Sequence, residues 1–452
     1  MWPAFVLSLA GFLTNFDVTA VVVALPAIAT ELRLGVAGQA WIMDAYSLAF
    51  TAALLVAGAL ADCYGRRRAM LAGNLVFAAA SAACALAADG LTLGLARAAQ
   101  GLGAAFVVTG GFALIAGLYP QPGSRTRALS WLGVVSGIAM ALGPSIGGGI
   151  SAWIGWRWIF VANLPACVLA AWSIPRLVPE MRASVQRPLD YVGTGLLTTA
   201  LCVLVAALLH GHDASRAALG VAIAALLLTI FLLQQQRRAQ PMFDPAIFAR
   251  PAMTGVALLL NAVSLGYWAV LVYLPNFLGA VFGWTSAGCG LAMLAATLPM
   301  LVVPPLGGRL VVQLGWRRYF TMALAIMTAG NVVFLGALTV ADAALQLRFA
   351  MVAMSAVGCG AALAHPQLTG AVVALVPADR AGMASAVTVI MRQAGFAIGI
   401  ALLGAVIGRS DEIDGYWWMF ALAVLACAAA GASAFLLLPS STAMRAGDEK
   451  QQ

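Results

Sequence analysis

Apolar residues fall in runs of about twenty, separated by short stretches of charge or of Gly, Pro and Asn, from the first residues almost to the last. A helix of roughly 20 residues crosses about 30 Å of hydrocarbon, so each run is a candidate membrane span. Punctuation by charge, Gly and Pro divides the chain into fourteen predicted helices, at about 4–25, 40–61, 69–88, 92–118, 128–150, 157–178, 191–210, 215–235, 252–280, 286–311, 318–340, 346–376, 382–408 and 416–438. The first run is read as a membrane helix and not as a secretory signal, because it lacks a basic leader, carries Asp17 in its interior and continues to Leu25-Pro26.

The pattern repeats. Gly58-Ala-Leu-Ala-Asp-Cys-Tyr-Gly65-Arg-Arg-Arg68 returns as Gly308-Arg-Leu-Val-Val-Gln-Leu-Gly315-Trp-Arg-Arg318, an offset of 250 residues, and Leu25-Pro26 returns as Leu274-Pro275. Predicted helices 1–6 therefore match 9–14, and 7 and 8 are an insertion. The expected fold is an all-α polytopic membrane protein of two six-helix pseudo-repeat bundles, 1–180 and 241–440. Two inserted helices and a linker occupy 181–240, and a cytoplasmic tail 441–452. The stretch Gln234 to Pro245 is polar and proline-bearing, as a linker should be. Repeated halves are how secondary transporters build two states around one central site.

Composition sharpens this picture. Apolar residues make up 63% of the 452 and charged residues 9%, where soluble chains carry roughly 25% charged. With a mean hydropathy of +0.97, the bilayer is the solvent. The net charge of +8 is scattered singly or in threes, so it does not suggest nucleic acid. With the N-terminus inside, seventeen of the 24 Lys and Arg fall in inner loops or the tail, and five in outer loops or margins. That asymmetry predicts two cytoplasmic termini. The seven cysteines lie singly, mostly within apolar runs, with no metal-ligand spacing. No metal or cofactor is expected, and no nucleophile–base pair or nucleotide loop points to an enzyme.

The candidate chemistry lies where charge enters the hydrocarbon. Asp17 sits about thirteen residues into the first helix, roughly 20 Å along it. Insertion of such a residue costs about 2.5–3.5 kcal/mol, so it should face a cavity or a partner. It is a candidate proton carrier, or alternatively a helix-packing residue bonded to neighbouring hydroxyls or an Arg. Arg97 lies on the fourth helix at a compatible depth and would stay charged. It can load and release a proton on Asp17 as helices move, or simply tie helices together through carbonyls. Asp44, near the start of the second helix, is a candidate proton-entry group or an acid favoured by a helix N-terminus.

Asp62 occupies the other end of that helix, where the dipole disfavours it, and so demands a cationic partner or a helix N-terminus across an interface. Arg66, Arg67 and Arg68 follow. A contact that forms in one state and breaks in another is a candidate gate, although inward anchoring alone accounts for the arginines. The second copy has Val312 in place of Asp62. In the fifth helix Gly143, Pro144, Gly147 and Gly148 suit a hinge or seal, or plain tight packing. Weaker candidates for a substrate cavity are Trp41, Asn261, Tyr267, Trp268, His365 and Arg392. Aromatic faces there would bind a lipophilic cation.

These motifs resemble the major facilitator superfamily, specifically its fourteen-helix drug/proton antiporter branch, over nearly the whole chain. Gly58 to Arg68, with Gly58, Asp62, Gly65, Arg66 and Arg67, is similar to the loop motif between the second and third helices. Arg97-Ala-Ala-Gln100-Gly-Leu-Gly103 resembles the fourth-helix motif implicated in proton coupling. Gly143-Pro144 to Gly148 resembles the fifth-helix antiporter motif, and Phe16-Asp17 to Pro26 the first-helix motif of the branch. The branch usually has Asn where Val22 stands, and its second-half acid for dicationic substrates is not evident, so monocationic or neutral amphiphiles are expected.

The resemblance implies proton-coupled export of drugs, antibiotics or other amphiphilic small molecules by alternating access. It implies no cofactor, no nucleic-acid partner, and a monomer in the inner (cytoplasmic) membrane. The alternative is a proton symporter taking up a small organic solute, which would want polar binding residues and has no need of the fifth-helix Gly-Pro seal.

Overall fold

The computed structural model describes residues 2–119, 121–182, 190–210, 214–238, 250–375, 381–409 and 412–439. Every regular element among them is helical: α1 (Trp2–Leu32), α2 (Val36–Tyr64), α3 (Arg66–Ala85), α4 (Gly90–Leu118), α5 (Pro122–Trp153), α6 (Arg157–Leu177), α7 (Tyr191–His210) and α8 (Ala214–Gln236). They continue as α9 (Pro251–Phe282), the broken run α10 (Ser286–Val302), α11 (Pro304–Leu338), α12 (Ala343–Ala374), α13 (Ala381–Ile407) and α14 (Glu412–Leu437).

Local chemistry sets several of these ends. Asp89 caps α4 by accepting from the Thr92 backbone N–H at 2.8 Å, and Thr92 Oγ1 accepts from the Asp89 backbone N–H at 3.4 Å. Each bond satisfies a donor that has no partner within the helix. Pro122 opens α5 and Pro251 opens α9, positions where a missing N–H costs nothing. Inside α9, Ser264–Ala269 form a π-helical turn, which rotates the side chains after it relative to a regular helix.

Twelve of the described helices are long and apolar enough to cross a bilayer. The α2 pair, bent 45° between Val36–Leu54 and Val56–Tyr64, makes thirteen if counted as one span. The expected fourteenth is not reached on these grounds. The run 286–302 breaks into Ser286–Ala292, Leu294–Thr297 and Pro299–Val302, and a new helix begins at Pro304. Prolines at 299, 304 and 305 remove backbone donors and clash with the preceding turn. The predicted boundary between 311 and 318 is a turn inside α11 at Gly315. The linker from 239 to 249 and the tail from 440 lie outside the described residues.

The chain forms two compact units, Met1–Phe231 with Leu278–Leu291, and Leu232–Phe277 with Ala292–Gln452. In the first, α1 packs on α5 and α6, and α4 packs on α2 and α3. A Cβ on Gly103 of α4 would lie 2.6 Å from the Phe77 backbone nitrogen of α3, and one on Gly73 would lie 2.8 Å from the Gly103 carbonyl. Small residues facing one another let these two backbones touch. Of the next two helices, α7 lies against α2, while only 11% of the most apolar window of α8 is buried. Its exposed Leu219, Leu226 and Leu233 present an apolar face for lipid. In the second unit, α11 packs on α12 and α14, and α9 on α13 and α14. Stacked Phe334 and Phe420, 4.3 Å apart, lie at its core against the edge of Phe277.

The sequence repeat is also a backbone repeat. Gly65, between α2 and α3, has φ 113° and ψ 131°, and Gly315 has φ 73° and ψ 159°. Both turns use a left-handed conformation that L side chains adopt only with strain.

Candidate functional site

In the first unit five helices converge on Asp17. Arg97 Nη1 of α4 donates to Asp17 Oδ2 in a short ion pair. Gln100 Nε2 donates to Asp17 Oδ1 at 2.8 Å, and Asn163 Nδ2 of α6 donates to the same oxygen at 2.9 Å. Gln100 Nε2 also reaches Ser81 Oγ of α3 at 2.9 Å, while its Oε1 accepts from Arg97 Nη1 at 2.6 Å. The guanidinium lies over the Tyr46 ring of α2, 4.4 Å from its centre, and Arg97 Nε donates to the Ile42 carbonyl at 3.3 Å. Asp17, Arg97, Gln100 and Ser81 are fully buried. An ionised carboxylate only accepts, and here three donors aim at its two oxygens. Among the described residues, Arg97 Nη2 and Asn163 Oδ1 are left buried without a hydrogen-bond partner.

The depth match between Asp17 and Arg97 is thus a direct contact. Sequence reasoning missed Asn163, Ser81 and Tyr46, and took Gln100 only as part of a motif. Neutral polar side chains inside an apolar helix were the available signal.

Asp44 is elsewhere. It is the ninth residue of α2 and not at its N-terminus, which sets aside the helix-end reading; it is fully buried, and neither carboxylate oxygen has a hydrogen-bond partner among the described residues. At that helix lies α7, with Cys202 within electrostatic reach. Trp41, half-buried, precedes it by one turn.

At the turn between α2 and α3, Asp62 finds its cation not across an interface but just beyond the turn: Arg66 Nη2 and Nε approach Asp62 Oδ1 at 3.0 and 3.1 Å. The helix N-terminus is taken by Glu180, which sequence reasoning did not single out. Its oxygens accept from the backbone N–H groups of Arg67 and Arg68 at 3.0 and 3.2 Å, and its charge lies within 3.8 Å of both guanidinium groups. Carboxylates are favoured at helix N-termini for these reasons. Gly58 brings α2 to α4, where a Cβ would lie 3.4 Å from Thr109 Cγ2.

On α5, a Cβ on Gly143 would collide with Thr19 Oγ1, and one on Gly147 would lie 2.6 Å from Ala20 Cα, so both seat α1. A Cβ on Gly148 would meet the Ser286 carbonyl, and Ser145 Oγ beside Pro144 donates to the Gly290 carbonyl at 2.9 Å.

In the second unit, Arg392 Nη1 of α13 approaches His365 Nε2 of α12 at 3.4 Å. The Trp268 ring from the π-turn lies edge-on to the His365 ring at 5.6 Å, and Tyr267 contacts Trp268 at 5.0 Å. Tyr267 is buried with its hydroxyl donating to the Ala296 carbonyl at 3.1 Å, so it serves as packing behind Trp268. Asn261 packs on α13 one turn from Arg392, where a Cβ on Gly395 would lie 2.7 Å from its Oδ1, and its amide bonds back to the Ala257 carbonyl at 2.9 Å.

Known proteins resemble the chain along most of its length. It is 31% identical over 88% of its length to the multidrug resistance protein Stp of Mycobacterium tuberculosis (strain CDC 1551 / Oshkosh), covering 74% of that protein. It is 31% identical over 90% of its length to the puromycin resistance protein pur8 of Streptomyces alboniger, covering 81% of it. Among solved structures, a POT family transporter in complex with 5-aminolevulinic acid superposes with a TM-score of 0.71 at 14% identity, over 94% of each chain. Residues 7–399 match the family model of the Major Facilitator Superfamily, and the chain belongs to that superfamily of membrane transporters.

Proposed function

We propose that this chain is a proton-coupled antiporter that exports drugs, antibiotics or other amphiphilic small molecules by alternating access. The observation that carries the reading is the buried Asp17–Arg97 pair with its second donors, Gln100 and Asn163. A proton on Asp17 would add a donor where three donors already point, so protonation must loosen the cluster. Helices α1, α4 and α6 then gain freedom to shift, and loss of the proton draws them back. One charge moving inward gains about 2.3 kcal/mol per 100 mV, an adequate drive for uphill export. The names of relatives such as Stp and pur8 support export as the direction.

Other parts of the reading follow from this. The transporter works as a monomer in the cytoplasmic membrane with both termini inside, as the distribution of Arg and Lys indicates. Residues 1–180 and 241–440 act as the two six-helix halves, with the helices between them an addition. Asp62, Arg66 and Arg67 with Gly58 and Gly65 form the inner gate, and Gly143, Pro144, Gly147 and Gly148 the seal on α5. Asp44, buried and unpartnered, is the second proton-binding carboxyl.

The test is Asp17→Asn in inverted membrane vesicles. Proton-driven accumulation of a fluorescent drug such as ethidium should disappear while the protein remains folded in the membrane. A susceptibility panel in a host lacking its own pumps should show the same loss. Uphill transport by the variant at the parent's rate would refute the coupling role.

A further inference from the structure

The second unit holds a constellation of donors with too few acceptors among the described residues. Arg392 is the twelfth residue of α13 and the fifth of its apolar span Thr388–Ile407, so it lies inside the membrane helix, about 6 Å from the start of that span. Its guanidinium has no carboxylate partner among the described residues. Between 251 and 409 the chain has only two acids, Asp342 and Asp379; Asp342 accepts from the Leu345 backbone at the start of α12, and Asp379 lies outside the described residues.

Among the described residues, the side chain within hydrogen-bond distance of the Arg392 guanidinium is His365, and an Arg can only donate. His365 Nε2 must therefore offer its lone pair, which leaves the imidazole neutral with its proton on Nδ1. It supplies one acceptor and no charge. Beside it the Trp268 Nε1–H is buried with no acceptor either. An unpaired guanidinium at this depth is costly, as is an unpaired buried indole N–H. The Trp268 ring, in edge contact with His365 at 5.6 Å and with Tyr267 at 5.0 Å, offers an aromatic surface beside the guanidinium for a flat ring.

From this geometry we infer that Arg392, His365 and Trp268 form a recognition site for an acidic group, a carboxylate or phenolate, on an aromatic transported molecule. The planar fork of Arg392 takes the two oxygens, the Trp268 N–H can take a third bond, and His365 holds the guanidinium in place. The substrates favoured by this site are amphiphilic organic anions and zwitterions, in addition to the monocationic or neutral molecules the sequence suggests. The inference rests on the efflux reading only for the word "transported"; the site itself is a matter of binding.

The experiment separates the two. The purified full chain in lipid nanodiscs is titrated calorimetrically with 2-naphthoate and with its methyl ester, which keeps the ring and removes the charge. The parent should bind the acid about tenfold or more tighter than the ester, as charge-assisted hydrogen bonds permit. Arg392→Gln should bring the two ligands to within about twofold of each other by weakening the acid far more than the ester, because the charge-assisted contact is removed. Arg392→Lys should restore part of the preference, and Trp268→Phe, which keeps the ring and removes the N–H, should weaken acid binding by about threefold to tenfold.

A parent that binds acid and ester equally overturns the site, as does an Arg392→Gln protein that keeps the preference. Equal loss of both ligands in Arg392→Gln, with Trp268→Phe unchanged, also overturns it, since that pattern belongs to a packing role. In parallel, ethidium export is measured in inverted vesicles. Arg392-dependent acid binding without export of any probe would sink the efflux reading alone and leave the site standing.

Discussion

Two arginines within membrane helices, Arg97 of α4 and Arg392 of α13, are treated oppositely. Arg97 is fully buried, pairs with Asp17, shares Gln100 and lies over Tyr46. Arg392 is half-buried and touches one neutral imidazole. A charge taken out of water must be compensated, and the first unit does this with its own carboxylate. The second unit leaves the compensation to something that arrives. A built-in pair that opens and closes suits a proton, and an unfilled donor set suits cargo. The turns at Gly65 and Gly315 differ in the same manner. Gly65 and Gly315 share an unusual backbone, yet the first turn carries Asp62, Arg66 and Glu180, while Val312 stands exposed in the second copy. The repeat keeps the frame and divides the chemistry.

The strongest way to break this comparison is to remove one member of the first pair. Asp17→Leu leaves Arg97 buried without its counter-charge and should cost about 3–5 kcal/mol, whereas Asp17→Leu with Arg97→Met should recover most of that loss, since apolar replacement of a whole buried pair is often near neutral. Neither protein should drive export. Thermal unfolding in detergent checks the first statement and vesicle uptake the second. A double variant as unstable as the single one would mean that the pair is not the unit that matters.

What the sequence revealed follows from cost. Asp17 and Arg97 stood out because ionised groups in hydrocarbon are expensive, so their presence had to be explained, and the contact between them is what the explanation required. Asn163, Ser81 and Tyr46 stayed hidden because neutral polar residues are tolerated in membrane helices, and only packing tells which face meets the carboxylate. Glu180 lay past the end of α6, 113 residues from the Arg67 amide it accepts from. No local pattern links a loop carboxylate to a helix N-terminus so far away. Asp44 was placed near a helix start because the apolar run begins late, but Val36 to Gln39 are already helical. The repeat was legible from Gly65 and Gly315, whose identity reflects a backbone need. The crossing count was less so, because a run of twenty apolar residues that holds several prolines satisfies hydropathy without making a continuous helix.

The second unit can be made to resemble the first. His365→Glu sets a carboxylate beside Arg392, and a charge-assisted pair of this kind is worth about 1.5–3 kcal/mol. The protein should melt at a higher temperature and lose its preference for 2-naphthoate over the methyl ester, because the guanidinium is then occupied from within. Thermal unfolding and calorimetry on the same sample read both effects. A more stable protein that still prefers the acid would show that Arg392 is not what recognises it.

The two glycine turns give the smallest contrast and a way to apportion it. Gly65→Ala forces an L residue to φ 113° and also drives a Cβ to 2.6 Å from Glu180 Cδ. Gly315→Ala forces a similar backbone at φ 73° in a copy with Val312 for Asp62. Backbone strain of this kind costs about 1–3 kcal/mol, so both variants should be destabilised. Gly65→Ala should lose more, because Glu180 must also withdraw from the N–H groups of Arg67 and Arg68. Glu180→Gln alone, which keeps the shape and removes the charge, should cost only about 0.3–1 kcal/mol, the scale of a single charge at a helix terminus. In a cycle of thermal unfolding measurements, Gly65→Ala and Glu180→Ala should therefore be less than additive, since once Glu180 is gone the new methyl group has room. Strict additivity would mean that Gly65 serves its backbone alone, and the first turn would then owe nothing to the carboxylate that sets it apart from the second.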